Sequence, residues 1–242
     1  MHTHTKYWSL GILLILSACG GSSANDSTEQ TCNAADCTEQ NINAPIGDQP
    51  DQSAPEYGAN PKDPPRSTLR FPAFDPEWGL KRSIYDRAVA YYSRARATLP
   101  NPRYATLIDF SLHSSKRRLF LFDLSNDTVV KHNVAAGKNS DPDGDGYATK
   151  FSNTPGSKMS SLGIYHTYAT YNGGNGYSLK LEGMESTNSN ALDRAIVMHP
   201  ANYVNELAAS AGRSWGCPAV DPKISRGLID KIKNGSLFVI GI

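Results

Sequence analysis

Apolar and polar positions divide the chain into three unequal parts before any single residue is weighed. Leu10-Gly-Ile-Leu-Leu-Ile-Leu16 is a continuous apolar run, too short to span a bilayer comfortably. From Gly20 to about Arg70, branched apolar residues give way to Ser, Asn, Asp, Gln, Thr and Pro. Such a stretch cannot bury enough surface to offset the entropy of ordering, and 19–70 reads as a disordered tether. The rest, 71–242, carries periodic apolar positions throughout and reads as one folded domain.

Within that domain the period changes once. Asp75-Pro76-Glu77 has the form of a helix start, an N-cap followed by proline. Leu80, Ile84, Ala88, Tyr91, Ala95 and Leu99 then recur at helical spacing up to Pro100. One amphipathic helix of about six turns is expected. From Tyr104 onward short strands take over. Thr106–Phe110 and Leu119–Leu124 flank a polar connection as a hairpin would, and a turn at 123–127 leads into Thr128–Val130, with Val134–Gly137 continuing that strand. Leu162–Tyr168, Tyr177–Leu181 and Ala195–Met198 are further strands. Asp221-Pro222 opens a second helix, with Ile224, Leu228, Ile229 and Ile232 on one face. Asn234-Gly235 ends it, and Ser236–Ile242 closes the domain as a strand. The expected class is β-rich α+β, a mixed, sandwich-like sheet preceded by an N-terminal helix.

Composition sharpens the ends of this picture. Lys6 precedes the apolar run and small residues follow it, so 1–18 reads as a secretory signal. Leu16-Ser17-Ala18-Cys19 resembles the lipobox of bacterial lipoproteins. That resemblance implies cleavage before Cys19 and acylation of Cys19, an N-terminal lipid anchor that would hold the protein at a membrane. Gly20 stands where an aspartate often marks inner-membrane retention, which points to a periplasm-facing lipoprotein of the outer membrane. Cys32 and Cys37 lie close together in the tether; a disulfide between them fits an exported chain, but spacing alone leaves it open. The part from Phe71 to Ile242 is mildly basic, with 20 Lys and Arg against 15 Asp and Glu. The basic residues are scattered rather than striped, so a nucleic-acid partner is not indicated.

The candidate chemistry lies late in the chain. His199 follows the apolar Ala195–Met198, and beyond fourteen intervening residues comes Ser214-Trp-Gly-Cys217. Cysteine is the strongest side-chain nucleophile near neutral pH, and a histidine beside it raises the reactive thiolate fraction. Gly216 permits close backbone approach and Pro218 fixes the chain after the thiol, so neighbouring amides can converge on an oxyanion. Each residue alone has a plainer reading, as a buried cysteine and a packed histidine. Asp141-Pro-Asp-Gly-Asp-Gly146 matches the opening of a calcium loop, but Ser152 stands where a bidentate glutamate belongs, and an acidic turn is the simpler reading. His166, among aromatics, reads as structural or groove-lining. The chain lacks the close His and Cys pairs that would support zinc.

The segment from His199 to Ser214-Trp215-Gly216-Cys217 resembles the signature of murein L,D-transpeptidases. Upstream blocks at Ile108–Leu112, Ser114–Phe120, Ala136–Ser140, Phe151–Ser157 and Ser161–Tyr165 are similar to a Gram-negative branch of that family. The resemblance covers roughly Ile84 to Ile242. It implies a cysteine acyltransferase acting on peptidoglycan stem peptides in the cell envelope, without metal or organic cofactor. Cys217 would attack the carbonyl of the third stem residue and expel D-alanine, with His199 as base. Ser214, Trp215 and Gly216 would support the oxyanion and bind substrate. Two positions depart from the pattern: Trp215 replaces a histidine and Ala219 a polar residue. The same dyad could pass the acyl group to water, as a carboxypeptidase or in releasing a wall-linked protein; a third reading is a non-catalytic wall-binding lipoprotein.

Overall fold

The computed structural model describes residues 57–58, 61–208 and 210–242. The signal segment, Cys19, Cys32, Cys37 and most of the expected tether lie outside the described residues. The packed chain begins before the expected boundary at Phe71. Leu69 is buried in the core, and the Arg66 guanidinium donates to the carbonyls of Arg96 and Leu99. Composition missed this because one leucine and one arginine anchor an otherwise polar segment.

The first helix is shorter than its periodicity suggests. Asp75 does cap a turn, accepting from the Glu77 amide at 2.9 Å, but that turn is a 3-10 helix, Pro76–Trp78. Gly79, at φ +73°, turns the chain out of helix, and α1 runs only over Arg82–Ala95. A left-handed residue cannot continue an α-helix, and glycine adopts that conformation without steric cost.

Ten strands follow: β1 Tyr104–Asp109, β2 Leu119–Asp123, β3 Thr128–His132, β4 Ala136–Gly137, β5 Gly163–Gly173, β6 Gly176–Gly183, β7 Val197–Pro200, β8 Arg213–Ser214, β9 Ala219–Val220 and β10 Leu237–Gly241. Among the described residues, eight form one mixed sheet in the order β3-β2-β1-β10-β5-β6-β7-β9. Its ladders are antiparallel except β1 with β10 and β7 with β9. Residues Val134–Gly137 do not extend β3 as expected; β4 leaves the main sheet to pair in parallel with β8.

Strand alternation splits the core by face. Leu107, Phe120, Phe122 and Val239 pack with Ile84, Ala88 and Tyr92 of α1. Ile108, Leu119, Leu121 and Phe238 pack on the other side with Leu228, Ile229 and Ile232 of α2, Pro222–Ile232. Both faces are covered, which explains strands with few polar interruptions. The expected β-rich α+β class is the one observed. His166 lies on β5, half-buried, its Nε2 2.8 Å from the Tyr91 hydroxyl, a contact that ties α1 to the sheet.

Asp221 links helix, loop and sheet. One carboxylate oxygen accepts from the Lys223 amide at 2.8 Å as the cap of α2; the other accepts from the Glu206 amide at 2.9 Å. Glu206 in turn accepts from the Asn133 amide at 2.8 Å. Asp221→Ala should cost about 2 kcal/mol, a lost cap plus a stranded amide. Urea unfolding with an unchanged m-value checks this; a loss below about 0.5 kcal/mol would refute the assignment.

Candidate active site

Histidine and cysteine come together through one strand pairing. β7 ends at His199-Pro200, and β9 begins two residues after Cys217. The register sets His199 opposite Ala219 and Pro200 opposite Val220. The pairing is held from both sides: the Ala201 amide donates to Val220 O, and the Ala135 amide donates to Ala219 O, each at 2.9 Å. Ala219 is wholly buried beside Ala135, Ala201 and Val204, so the position where the family pattern often has a polar residue is here a packing position.

His199 is 1% exposed, with Nδ1 2.9 Å from the Pro200 carbonyl. A carbonyl only accepts, so Nδ1 carries the hydrogen and the buried Nε2 holds the basic lone pair. Cys217 is 3% exposed and keeps a thiol, Sγ donating to the Ala195 carbonyl at 3.5 Å. Ala195 sits at φ +52°, a conformation costly for a residue with a Cβ, and its carbonyl faces the thiol from there.

The turn before the cysteine is stapled from within. Ser214 Oγ lies 2.6 Å from the Cys217 carbonyl, to which it donates, and accepts from the Gly216 amide at 3.1 Å. Ser214 therefore shapes the turn. The Gly216 amide, expected among the oxyanion donors, is already engaged by that hydroxyl and serves the turn as well. Gly216 is at φ +125°, and a Cβ there would lie 2.8 Å from the Met159 carbonyl. Trp215 is half-buried, with the Lys158 ammonium 4.0 Å from its ring centroid. Lys158 is itself at φ +55°. Lys158 and Ala195, both with a Cβ, thus hold left-handed backbone near the turn, and strain of this kind is sustained only where the surroundings over-determine it.

The wall behind the turn comes from two upstream loops. Ser160 Oγ donates to the Gly216 carbonyl at 3.1 Å and accepts from the Gly137 amide at 3.0 Å. Ser140 Oγ accepts from the Ser160 amide, and the Asn139 amide donates to Lys158 O. Behind them Arg194 donates to Ser152 O and Met159 O. The sequence alone singles out none of Ser160, Ser140 or Arg194: Ser140 lies in one upstream block and Ser160 beside another, and Arg194 only precedes the Ala195–Met198 run.

The acidic stretch at 141–146 stands apart from this cluster. The Asp141 carboxylate accepts from the Asp145 and Gly146 amides, both at 3.1 Å, and so folds its own loop. His113 Nε2 donates to the Asp145 carbonyl at 2.9 Å. Among the described residues no group of three or more His, Cys, Asp and Glu side chains is arranged to hold a metal ion.

A family profile described as L,D-transpeptidase catalytic domain matches residues 77–240. Comparison with curated proteins gives no match. Solved structures similar to the chain include an L,D-transpeptidase from Mycobacterium smegmatis, at 10% identity and TM-score 0.37, over 58% of this chain and 59% of that one. An L,D-transpeptidase in complex with imipenem is 12% identical at TM-score 0.36, over 57% of this chain and 59% of that one. The helical cell shape determining protein of Campylobacter jejuni is 11% identical at TM-score 0.36, over 57% and 46%. In each case the match spans less than two thirds of the relative's length.

Gly216→Ala should destabilise the protein by about 2–3 kcal/mol, since the left-handed turn and the Met159 carbonyl both exclude a Cβ. Its rate of thiol alkylation should also change, because the turn that presents Sγ must shift. Wild-type stability and reactivity in this variant would contradict the geometry.

Proposed function

The chain belongs to the L,D-transpeptidase catalytic domain family, and from that premise we propose that it is a cysteine acyltransferase acting on peptidoglycan stem peptides. The observation that carries the reading is the β7–β9 pairing, which sets His199, in its base tautomer, opposite the residue two places after Cys217, whose thiol follows a glycine-dependent turn. A wall-binding protein needs neither a buried thiol nor a basic imidazole nitrogen on the neighbouring strand.

The steps follow from the atoms. Cys217 Sγ adds to the carbonyl of the third stem residue, a diaminopimelate, while its proton passes to His199 Nε2. Collapse breaks the amide bond, and the proton on Nε2 goes to the departing D-alanine amine, leaving a thioester. The side-chain amine of a second diaminopimelate then attacks that thioester, His199 takes the proton, and the thiolate leaves with a direct cross-link formed. Amides of the Trp215–Cys217 turn are the candidates for the oxyanion; the one at Gly216 would first have to release Ser214 Oγ. Lys158 over Trp215 sets a cation beside the turn, which suits a substrate rich in carboxylates.

The acceptor divides the two enzymatic readings. Incubating the full chain with tetrapeptide muropeptides should give dimers that have lost one alanine, by mass spectrometry. Shortened or cleaved monomers would replace transfer by hydrolysis. Unchanged substrate would remove both. Cys217→Ala should lose all conversion while keeping the wild-type circular dichroism spectrum.

The site of action belongs to the same proposal. The 1–18 segment and Cys19 support a periplasm-facing lipoprotein of the cell envelope, in the outer membrane of a Gram-negative cell. An alkynyl fatty acid fed to expressing cells should label the wild type and leave Cys19→Ala unlabelled. Equal labelling of both would move the anchor elsewhere.

A further inference from the structure

The loop behind the nucleophile turn carries one lysine to the side of that turn. Lys158 holds φ +55°, a left-handed conformation that a residue with a Cβ keeps only when its surroundings impose it. Here they do so from both sides. The Asn139 amide donates to Lys158 O at 3.1 Å, and the Arg194 guanidinium donates to the next carbonyl, Met159 O, at 2.6 Å. Two glycines leave room for this stretch: a Cβ on Gly137 would lie 2.6 Å from Lys158 O, and one on Gly216 2.8 Å from Met159 O. So held, the Lys158 ammonium stands 4.0 Å from the centroid of the Trp215 ring.

That ammonium lacks a carboxylate. Among the described residues Lys158 makes no ion pair, and the indole is its side chain's partner. The face of an indole attracts a cation without neutralising it. A lysine ammonium is a compact, strongly hydrated charge, and resting on a ring removes water from one side of it. An anion arriving on the open side completes it. The position gives this meaning. Trp215 is two places before Cys217, half-buried, in the turn whose amides are the oxyanion candidates. It stands where the family pattern has a histidine; indole cannot titrate, so the positive charge at this point comes from another loop. Across the β4–β8 ladder Gly137 pairs with Ser214, and Lys138 follows the one as Trp215 follows the other. A second basic residue therefore leaves that ladder at the level of Trp215.

We propose that Lys158 is a specificity-determining residue that reads a carboxylate of the stem peptide, with the Trp215 indole as the floor of that subsite. The inference rests on the stem-peptide reading of the proposed function and deepens it. The tetrapeptide carries carboxylates at more than one point, on the terminal D-alanine and on the diaminopimelate side chain among them. The shared chemistry is a carboxylate close to the scissile bond, and amidating each in turn tells them apart. Charge is what the subsite supplies, so arginine can stand in for Lys158 and a neutral side chain of similar length cannot.

Calorimetry on the full chain carrying Cys217→Ala, which binds without turnover, reads the subsite directly, using the tetrapeptide and its forms amidated at one carboxylate at a time. Adding Lys158→Met should weaken binding of the free acid about 5–20-fold, and Lys158→Arg should recover most of that loss. The amide that erases the difference between lysine and methionine identifies the carboxylate that is read. A merely structural lysine gives the same loss for the acid and every amide; that result, or no loss at all, would overturn the proposal. A second measurement needs no stem peptide. It compares the rates at which iodoacetate and neutral iodoacetamide alkylate Cys217 of the full chain, followed on the peptide containing Cys217 by mass spectrometry. Lys158→Met should lower the iodoacetate-to-iodoacetamide ratio about 2–5-fold. An unmoved ratio contradicts a cation that receives carboxylates at this turn. Absence of any stem-peptide binding would sink the transferase reading, and the alkylation ratio would then decide this inference by itself.

Discussion

Two residues, Ala219 and Val220, hold His199 near the turn that carries Cys217. Among the described residues, their parallel pairing with His199 and Pro200 is the one main-sheet ladder that β9 makes, and it joins chain segments on either side of the 201–218 excursion. Parallel neighbours cannot be linked by a tight turn, so the excursion is obligatory. It is anchored by Glu206 on Asn133 and Asp221, and by the Ala211 amide on the Ser114 carbonyl. The placing of His199 near the Cys217 turn is therefore a tertiary property, maintained by the loop anchors and by the bridge from Ala135 to Ala219.

Around that pairing the packing changes character. The two cores against α1 and α2 are apolar and follow strand alternation. The wall behind Cys217 is built instead from hydroxyls, carbonyls and one guanidinium: Ser140, Ser160, Ser161 and Ser214 with Arg194. Such a polar network is costly unless satisfied, and satisfied it fixes geometry more tightly than oily contacts do. It also surrounds the left-handed backbone at Lys158, Ala195 and Gly216, of which Ala195 accepts from the thiol and Gly216 precedes it.

Much of the fold was legible because it rests on local rules. Asp75 and Asp221 act as caps where their sequence context places them, and the apolar alternation marks the strands. Gly79 was overlooked because an isolated glycine within a helical pattern does not announce a left-handed turn. The pairing of β1 with β10 joins residues far apart in sequence, which periodicity cannot reveal. The site divides in the same way. His199 and Cys217 stand out by residue type and spacing. Arg194 does not, because its partners are two backbone carbonyls and two serines spread over residues 152–161. Ala195 is silent for another reason: its unusual conformation is imposed from outside, and alanine carries no mark of it.

The central claim is that a thioester forms on Cys217 with His199 as its base. Rapid acid quenching of the full chain with tetrapeptide substrate, followed by proteolysis and mass spectrometry, reads this directly. The account predicts a stem-tripeptide adduct on the fragment containing Cys217, forming more slowly in His199→Ala. An adduct on any other residue, or an adduct whose rate of formation is untouched by His199→Ala, would contradict it.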